Sequence, residues 1–318
     1  MSVRWGLLST APINLKLLAA AEQSDRAEVV AVGSRDAARA ESYAREHGLA
    51  RAHGSYDALL ADEKIDAVYV SPPNGLHIEW TMRALEAGKH VLCEKPMSRR
   101  ADEVERAFDL AESRGLVLSE GFMWRHHPQT ERLVELVKEG AIGPLRLVRA
   151  AFSFPLAVER SPGDARFDPE LDGGAMMDVG CYCVSAIRLF GGEPESVAGE
   201  QYVGPTGVDV VFAGTLRQAN GVVSHFDCGF VVPRRAELEL IGEDGSLFVT
   251  KPFVITDPGI ELRRDGAVEQ MVVEHVDSYL LELDNVSGAI RGEATLLLGR
   301  DDAVAQARTI EALYRSAA

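Results

Sequence analysis

Residues 3–14 read VRWGLLSTAPIN, an apolar run that gives way to a turn of small residues. The run predicts a first strand over residues 3–8, and apolar residues at helical spacing predict a helix over residues 14–21. A short turn between the first strand and the first helix of a chain is the usual place of a phosphate-binding loop in nucleotide-binding domains. The start of the chain therefore predicts an α/β domain that binds a nucleotide.

The same alternation of strand and helix continues to about residue 123. Continuous apolar strands separated by helices predict a parallel sheet covered on both faces, and residues 1–123 are predicted to form a dinucleotide-binding Rossmann domain. The further predicted strands are 29–32, 67–70, 90–93 and 116–118, and the further predicted helices are 37–47, 78–87 and 101–114.

The pattern changes in residues 124–318. Three turn dipeptides, Asn220-Gly221, Asp244-Gly245 and Asp265-Gly266, break β-like runs between residues 196 and 273 and are strong hairpin signals. They predict an α+β domain with a mostly antiparallel sheet and helices on one side. The other predicted segments are helices over 131–139, 176–190 and 301–315, a strand over 145–154 and a polar loop over 158–171.

Composition limits the function classes. The 318 residues are 46% hydrophobic and 26% charged, as in a soluble two-domain protein, and the net charge of −16 disfavours nucleic acid and membrane surfaces as partners. The four cysteines (Cys93, Cys181, Cys183 and Cys228) have neither a disulfide pattern nor paired CxxC spacing, so no metal site is expected. Without a signal-peptide pattern at the N-terminus, a cytoplasmic location is expected.

The first loop departs from the G-x-G-x-x-G fingerprint of dinucleotide-binding domains. A register that starts at Gly6 keeps Ala11 at the last position but places the turn inside the strand. A register that starts at Ser9 places the turn after the strand, with Ser9, Ala11 and Asn14 in place of the glycines. We favour the Ser9 register, and an ordinary tight turn is the alternative.

In that register the loop residues approach the cofactor phosphates. The hydroxyls of Ser9 and Thr10 are expected to donate to phosphate near the helix N-terminus. Ala11, Pro12 and Ile13 complete the predicted cofactor-binding loop.

The second strand ends at Ser34 and Arg35, where NAD-dependent enzymes usually place an acidic residue that binds the ribose hydroxyls. A hydroxyl and a guanidinium suit a 2′-phosphate, which predicts NADP rather than NAD. Asp36 is expected to cap the next helix. The alternative is an ordinary surface arginine.

The third strand runs into Ser71, Pro72, Asn74 and His77 at the edge of the sheet where ligands of open α/β sheets bind. All four are counted with the cofactor-binding edge. For Asn74, ligand binding and capping of the next helix are equally good interpretations. His77 has the pattern of a packing or capping histidine rather than a catalyst.

The fourth strand ends in Glu94-Lys95-Pro96. A lysine at a strand's carboxyl end, held by a following proline, can bond a substrate oxygen or exchange a proton with it. The alternative is a surface Glu–Lys pair. Glu94 and Lys95 are also counted with the cofactor-binding residues.

Residues 173–183 read GGAMMDVGCYC and begin the main helix of the second domain. Asp178 and Tyr182 are four residues apart, so an α-helix places them on one face. A carboxylate and a phenol on one face predict a catalytic pair. The alternative is a core tyrosine with an aspartate near the helix start.

Taken together, these motifs resemble the glucose–fructose oxidoreductase / inositol dehydrogenase family over nearly the whole chain. The most specific parts are Glu94-Lys95-Pro96 and residues 173–182, and residues 122–128, FMWRHHP, resemble the branch with NADP-dependent xylose and dihydrodiol dehydrogenases. The resemblance implies a Rossmann domain followed by a domain with a large open sheet, the cofactor between them, and hydride transfer to or from a sugar or diol carbon.

The resemblance also implies residue roles. Tyr182 is the acid/base on the reacting oxygen, and Lys95 favours the deprotonated phenol electrostatically and bonds the same oxygen. Asp178 orients substrate hydroxyls, and Trp124 and Arg125 line the cofactor side. The glycine-free first loop departs from the family pattern.

The expected substrate is a small neutral polyhydroxy compound, with His126, Arg166 and Asp178 as its hydrogen-bonding partners. A homodimer or homotetramer through the open sheet is expected, as in relatives of this kind. Two alternatives remain: a keto-sugar reductase of a biosynthetic pathway, and a catalytically silent cofactor-binding protein of the same fold.

Overall fold

The computed structural model describes residues 2–156 and 163–318 and separates the chain into two compact units. The first unit comprises Met1–Met123 and Asp277–Val304, and the second comprises Trp124–Val276 and Ala305–Ala318. Part of the predicted loop, residues 158–162, lies outside the described residues.

The first unit contains a six-stranded parallel sheet in the order β3-β2-β1-β4-β5-β6, which confirms the Rossmann prediction. The order reverses between β1 and β4, and ligands of such sheets bind beside this point, at the carboxyl ends of the strands. Its strands are β1 Val3–Leu8, β2 Ala27–Gly33, β3 Arg51–His53, β4 Ala67–Val70, β5 His90–Glu94 and β6 Leu118–Gly121. The helices between them are α1 Asn14–Ala21, α2 Ala37–Glu46, α3 Tyr56–Leu60, α4 His77–Glu86 and α5 Ala101–Ser113.

The second unit contains an eight-stranded, mostly antiparallel sheet in the order β14-β13-β12-β11-β7-β10-β9-β8, in which the pair β7/β10 is parallel. The three turn dipeptides each join adjacent antiparallel strands, as predicted. Its strands are β7 Leu145–Ser153, β8 Pro194–Val203, β9 Asp209–Gln218, β10 Val223–Gly229, β11 Arg235–Gly242, β12 Ser246–Thr250, β13 Gly259–Arg264 and β14 Ala267–Val272.

Helices cover one face of this sheet. A π-helical segment over Met176–Gly180 leads into α7, Cys181–Gly191, and the C-terminal helix α9 spans Arg300–Ser316. Close approach requires glycine on the covered face, since a Cβ on Gly199 would lie 2.9 Å from the carbonyl oxygen of Leu313 in α9. The two remaining helices of the described chain are α6 Pro128–Lys138 and α8 Ser278–Ile290.

Helix α8 packs on the first unit, although it follows the second sheet in sequence. Leu283 and Val286 belong to the buried cluster around Trp5, whose indole N–H donates to Ser287 Oγ at 3.1 Å. The predicted ranges 1–123 and 124–318 do not anticipate this return of residues 277–304, because α8 itself was not predicted.

None of the helices in the described part of the chain is both long and apolar enough to span a membrane.

Candidate active site

The first loop turns at Ser9, directly after β1, as the Ser9 register requires. Ser9 has φ 146°, a conformation that favours glycine, and it is only 6% exposed. Its hydroxyl donates to Ser71 and accepts the Ala11 N–H at 3.0 Å, while its carbonyl accepts from Asn14 Nδ2 at 2.8 Å. The expectation that the Ser9 hydroxyl bonds phosphate is therefore corrected, because these inward bonds occupy it.

The rest of the loop turns into α1, where the N–H groups of the first three helical residues donate to the carbonyl oxygens of Ala11, Pro12 and Ile13. Thr10, Ala11 and Ile13 are half-buried and Pro12 is exposed, and no side chain caps the helix. Backbone N–H groups at an uncapped helix N-terminus attract an anion. The contact of the loop residues other than Ser9 with a pyrophosphate stays a prediction.

Two guanidiniums stand near the end of β2. Burial raises the pKa of the Tyr56 phenol, and the charges of Arg35 and Arg39 partly offset that rise, which places both cations near the phenol. Neither guanidinium has an acidic or hydrogen-bonding partner among residues 2–156 and 163–318. Arg39 was not singled out from the sequence, although its place in the first turn of α2, four residues after Arg35, is the signal that reveals it.

The neighbours of these arginines are engaged with the backbone. Asp36 caps α2 as predicted, by accepting the Arg39 N–H at 3.0 Å. Ser34 is buried, and its hydroxyl accepts the Asp36 N–H at 3.3 Å. The pair Arg35 and Arg39 at this helix start fits a phosphate better than a neutral ribose.

His77 joins two loops at the carboxyl edge of the sheet. Its ring nitrogens face the carbonyl oxygens of Pro72 and Pro96, each at 2.8 Å, and burial lowers its pKa to about 4. The neutral ring donates to one carbonyl, and the second bond requires a protonated ring. The structure favours the packing interpretation of His77 over contact with a cofactor.

The capping interpretation of Asn74 is not what the structure shows. Asn74 begins a short 3₁₀ helix, and α4 begins after Leu76 with no side-chain cap. The other interpretation, that Asn74 binds a ligand, stays a prediction.

Buried carboxylates shape the loop that carries Lys95. Glu94 accepts the Tyr69 O–H and the Lys95 backbone N–H, the latter at 3.3 Å, and Glu120 accepts the Met97 N–H at 2.7 Å. Lys95 itself is half-buried. The predicted cofactor contact of Glu94 is corrected, because its side chain turns inward to hold this loop.

A third buried carboxyl belongs to α8. Glu282 is 1% exposed, and neither of its oxygens has a hydrogen-bond partner within the described part of the chain. Burial, together with the charge of Glu94, raises the pKa of Glu282 well above its usual value. This side chain therefore keeps its proton to a higher pH than an exposed glutamate does.

The predicted catalytic pair of the second unit lies where the π-helical segment meets α7. Asp178 lies in that segment, and its N–H donates to Gly174 at 3.0 Å. Tyr182 lies in the first turn of α7, with its ring 5.5 Å from those of Phe152 and Phe253. The segment predicted as one helix is thus π-helical in its first five residues.

Arg166 and Asp178, two of the predicted substrate residues, lie close together, and their contact with a substrate stays a prediction. Arg166 Nε lies 3.7 Å from Asp178 Oδ2 and 3.5 Å from Asp164 Oδ1. The guanidinium side chain stays 42% exposed. A partly exposed Arg–Asp pair offers both donors and acceptors to a polyhydroxy ligand.

The stretch at residues 124–126 divides into a core residue and two half-buried ones. Trp124 is completely buried, with its ring edge-on to Phe253 at 5.6 Å, so the prediction that it lines the cofactor side is corrected. Arg125 and His126 are half-buried, and Arg125 Nη1 donates to Ser185 at 3.5 Å.

These features define the class: a two-unit nucleotide-binding oxidoreductase, with Lys95 in the first unit and Asp178 and Tyr182 in the second. The family model described as the oxidoreductase family with an NAD-binding Rossmann fold matches residues 9–122, and the GFO/IDH/MocA C-terminal domain matches residues 130–248. The chain belongs to the glucose–fructose oxidoreductase / inositol dehydrogenase family.

Three relatives indicate the range of chemistry in similar proteins. The chain is 40% identical to an NADP-dependent D-xylose 1-dehydrogenase of Haloferax volcanii, over 98% of this chain and 97% of that protein. It is 36% identical to a trans-1,2-dihydrobenzene-1,2-diol dehydrogenase of Macaca fuscata fuscata, over 79% and 75%. The crystal structure of KijD10, a 3-ketoreductase from Actinomadura kijaniata in complex with NADP and TDP-benzene, matches with a TM-score of 0.93 and 32% identity, over 99% and 98%.

Proposed function

We propose that this protein is an NADP-dependent oxidoreductase that transfers a hydride between the nicotinamide and a carbon of a sugar or diol, and that it acts as an aldose dehydrogenase. The observation that carries the cofactor assignment is the pair Arg35 and Arg39 beside Ser34, where an NAD-dependent enzyme places an acid. The relatives from Haloferax and Actinomadura, one named as NADP-dependent and one solved with NADP, support the same cofactor.

The residues present fit NADP. Arg35 and Arg39 would hold the 2′-phosphate, and the uncapped start of α1 would hold the pyrophosphate. Ser71, Pro72 and Asn74 would border the cofactor at the carboxyl edge of the sheet. When bound, NADP supplies the hydride acceptor or donor, and the remaining chemistry belongs to side chains of this chain.

Tyr182 is the general acid/base. In oxidation its phenolate oxygen takes the proton from the reacting hydroxyl as the C–H bond is broken, and in reduction the phenol returns that proton. The Lys95 ammonium stabilises negative charge on the reacting oxygen of the substrate. Solved structures of KijD10 include one variant with a tyrosine replaced and one with a lysine replaced. Interest in these two residue types agrees with this pair of roles.

Asp178, Arg166 and His126 select the substrate. A site that bonds hydroxyls rejects analogues that lack them, since its polar groups are then left unpaired. The expected substrate is a neutral aldose oxidised at its anomeric carbon, and the D-xylose dehydrogenase supports this class.

The test is NADPH absorbance with a panel of pentoses, hexoses, cyclic diols, inositols and 2-hydroxy acids, in both directions. We expect turnover with neutral polyols and NADP. Turnover confined to 2-hydroxy acids, or none with any neutral polyol, would overturn the proposal.

A keto-sugar reductase is the second candidate, favoured by the 32% identity to the dTDP-sugar 3-reductase of Actinomadura kijaniata. Reduction of a keto-sugar uses the same Tyr182 and Lys95 in the reverse direction. Turnover with NADPH and a nucleotide-linked keto-sugar, but with no free sugar, would select this candidate.

The chain is further proposed to form a homodimer or homotetramer through the open face of the second sheet. Val223 and Val268 on that face are 39% and 56% exposed, and Arg149 pairs there with Glu239 at 3.1 Å. Light scattering should give a mass of two or four chains. A cytoplasmic location is proposed as well, and the four buried cysteines, which form no disulfide, agree with it.

A further inference from the structure

Helix α9 is linked to the segment that carries Asp178 and Tyr182 at two points, directly through Gln306 and by way of Asp209 through Tyr314. Gln306 Nε2 donates to the Cys181 carbonyl at 2.7 Å. The Tyr314 hydroxyl donates to Asp209 Oδ1 at 2.8 Å, and Asp209 Oδ2 accepts the Met176 backbone N–H at 2.7 Å. Met176 and Cys181 are the first residues of the π-helical segment and of α7, so the two bridges hold the segment at both of its ends.

The bonds to Met176 and Cys181 are buried, and the bond from Tyr314 to Asp209 is partly buried. Asp209 and Gln306 are 4% and 1% exposed, and Met176 and Cys181 are completely buried. Hydrogen bonds in such surroundings are strengthened, and a partner left unpaired is costly. The bridges therefore hold the segment more firmly than exposed bonds would.

The side chains from α9 are themselves fixed from a second side. Gln306 Oε1 accepts Arg188 Nη1 at 3.0 Å, and the Tyr314 ring packs edge-on against Phe212 at 5.5 Å. A side chain whose own rotamer is fixed holds its hydrogen-bonding partner in place more firmly than a mobile side chain does.

The backbone of the segment is shaped around the Asp209 carboxylate. Gly174 has φ 122°, and a Cβ there would lie 2.2 Å from Asp209 Oδ1. A Cβ on Gly180 would lie 2.6 Å from Met176 Sδ and 2.8 Å from Cys228 Sγ. These two glycines permit the segment to lie close to Asp209 of β9 and Cys228 of β10.

We propose that Gln306, Tyr314 and Asp209 are positioning residues, which hold Tyr182 and Asp178 in the geometry required for proton transfer. The inference rests on the proposed role of Tyr182. A π-helical turn is rare and is often found at functional sites, and here its position depends on bonds from outside the helix. A small displacement of the acid/base from the reacting oxygen lowers the rate strongly.

The test compares Tyr314→Phe and Gln306→Leu with Ser316→Ala in the full-length protein. Ser316 accepts the Gly199 N–H at 2.9 Å and so fixes α9 to β8 rather than to the catalytic segment. We expect the first two variants to lower kcat about 10-fold or more on the panel sugar, with the Kd for NADP unchanged. Ser316→Ala should keep kcat even where it lowers Tm.

A second readout does not depend on turnover. Hydrogen exchange of the amides in residues 174–182 should be faster in Tyr314→Phe and Gln306→Leu and unchanged in Ser316→Ala. The conservative Asp209→Asn keeps an acceptor for the Met176 N–H, so it should retain much more activity than Asp209→Ala.

The outcomes separate this inference from the proposed function. Wild-type kcat and exchange in Tyr314→Phe and Gln306→Leu, with Tyr182→Phe inactive, would overturn the positioning role alone. Equal loss of kcat in Ser316→Ala, or in Asp209→Asn and Asp209→Ala, would also overturn it. Wild-type turnover in Tyr182→Phe would overturn the proposed function together with this inference.

Discussion

Arg35 offers the sharpest test of cofactor choice at the scale of a single residue. Arg35→Ala removes a charge-assisted contact to the 2′-phosphate, so the Kd for NADP should rise about 10- to 100-fold while the Kd for NAD changes little. Fluorescence titration of both cofactors measures the difference. Arg45→Ala, in helix α2 after Arg35, is the control, because Arg45 is exposed and lies 3.9 Å from Glu41. Equal losses for the two cofactors would show that Arg35 does not read the phosphate.

Glu282 links pH to stability. Its folded-state pKa is raised, so the folded protein keeps a proton that the unfolded chain releases above about pH 4.5. The free energy of unfolding should therefore fall as pH rises from that point toward the folded-state pKa, by at most about 1.4 kcal/mol per pH unit from this group. Glu282→Gln should flatten that decline.

Urea unfolding of this variant at several pH values is the measurement. Glu86→Gln, at an exposed position of α4, is the matched control and should keep the wild-type slope. An unchanged slope in Glu282→Gln would mean that the carboxyl is ionised in the folded protein.

Residue types at strand ends were a good guide to the site, and side-chain direction was not predictable. Ser34, Arg35 and Lys95 lie at the carboxyl edge because strand ends meet there. Ser9 and Glu94 turn inward, since the Ser9 hydroxyl bonds Ser71 and the Glu94 carboxylate accepts the Tyr69 O–H. No local pattern in the sequence encodes those tertiary bonds.

Among the elements, α8 carries the clearest consequence for stability. Ser287→Ala removes the acceptor of the Trp5 indole N–H, with both side chains fully buried, so unfolding should become easier by about 1–3 kcal/mol. Urea unfolding followed by tryptophan fluorescence measures this. Ser113→Ala, at the exposed end of α5, should change little, and a similar small effect for Ser287→Ala would argue against tight packing of α8 on the first unit.

Elements with a continuous apolar run were the predictable ones. Strands β1, β4 and β5 were recognised because both faces of the sheet are covered, and the turn dipeptides located three hairpins. Strand β3 was missed because its three residues are too short to show a pattern. Helix α8 was missed because its polar residues, Glu282 and Ser287 among them, are buried, which weakens its periodicity.

For the whole molecule, fold class and family followed from the order of elements and from two motifs. The return of residues 277–304 to the first unit did not follow, since it depends on packing between segments far apart in sequence. The proposed substrate residues Asp178 and Arg166 have surroundings that also depend on tertiary contacts. The reaction class was therefore more predictable than the sugar.

Lys95 and Tyr182 are expected to act on one oxygen, although they belong to different units. Lys95→Met and Tyr182→Phe should each reduce kcat, and the double variant should lose much less than the product of the two losses. Steady-state kinetics of the four proteins tests this. Fully multiplicative losses would show that the two residues act independently.

The most direct single measurement is turnover of Tyr182→Phe with NADP and the preferred sugar of the panel. The variant keeps the aromatic ring packed against Phe152 and Phe253 and removes only the proton-transferring hydroxyl. We expect NADP to bind with its wild-type Kd while kcat falls about 10²- to 10⁴-fold. Turnover close to wild type would contradict the assignment of Tyr182 as the acid/base of this oxidoreductase.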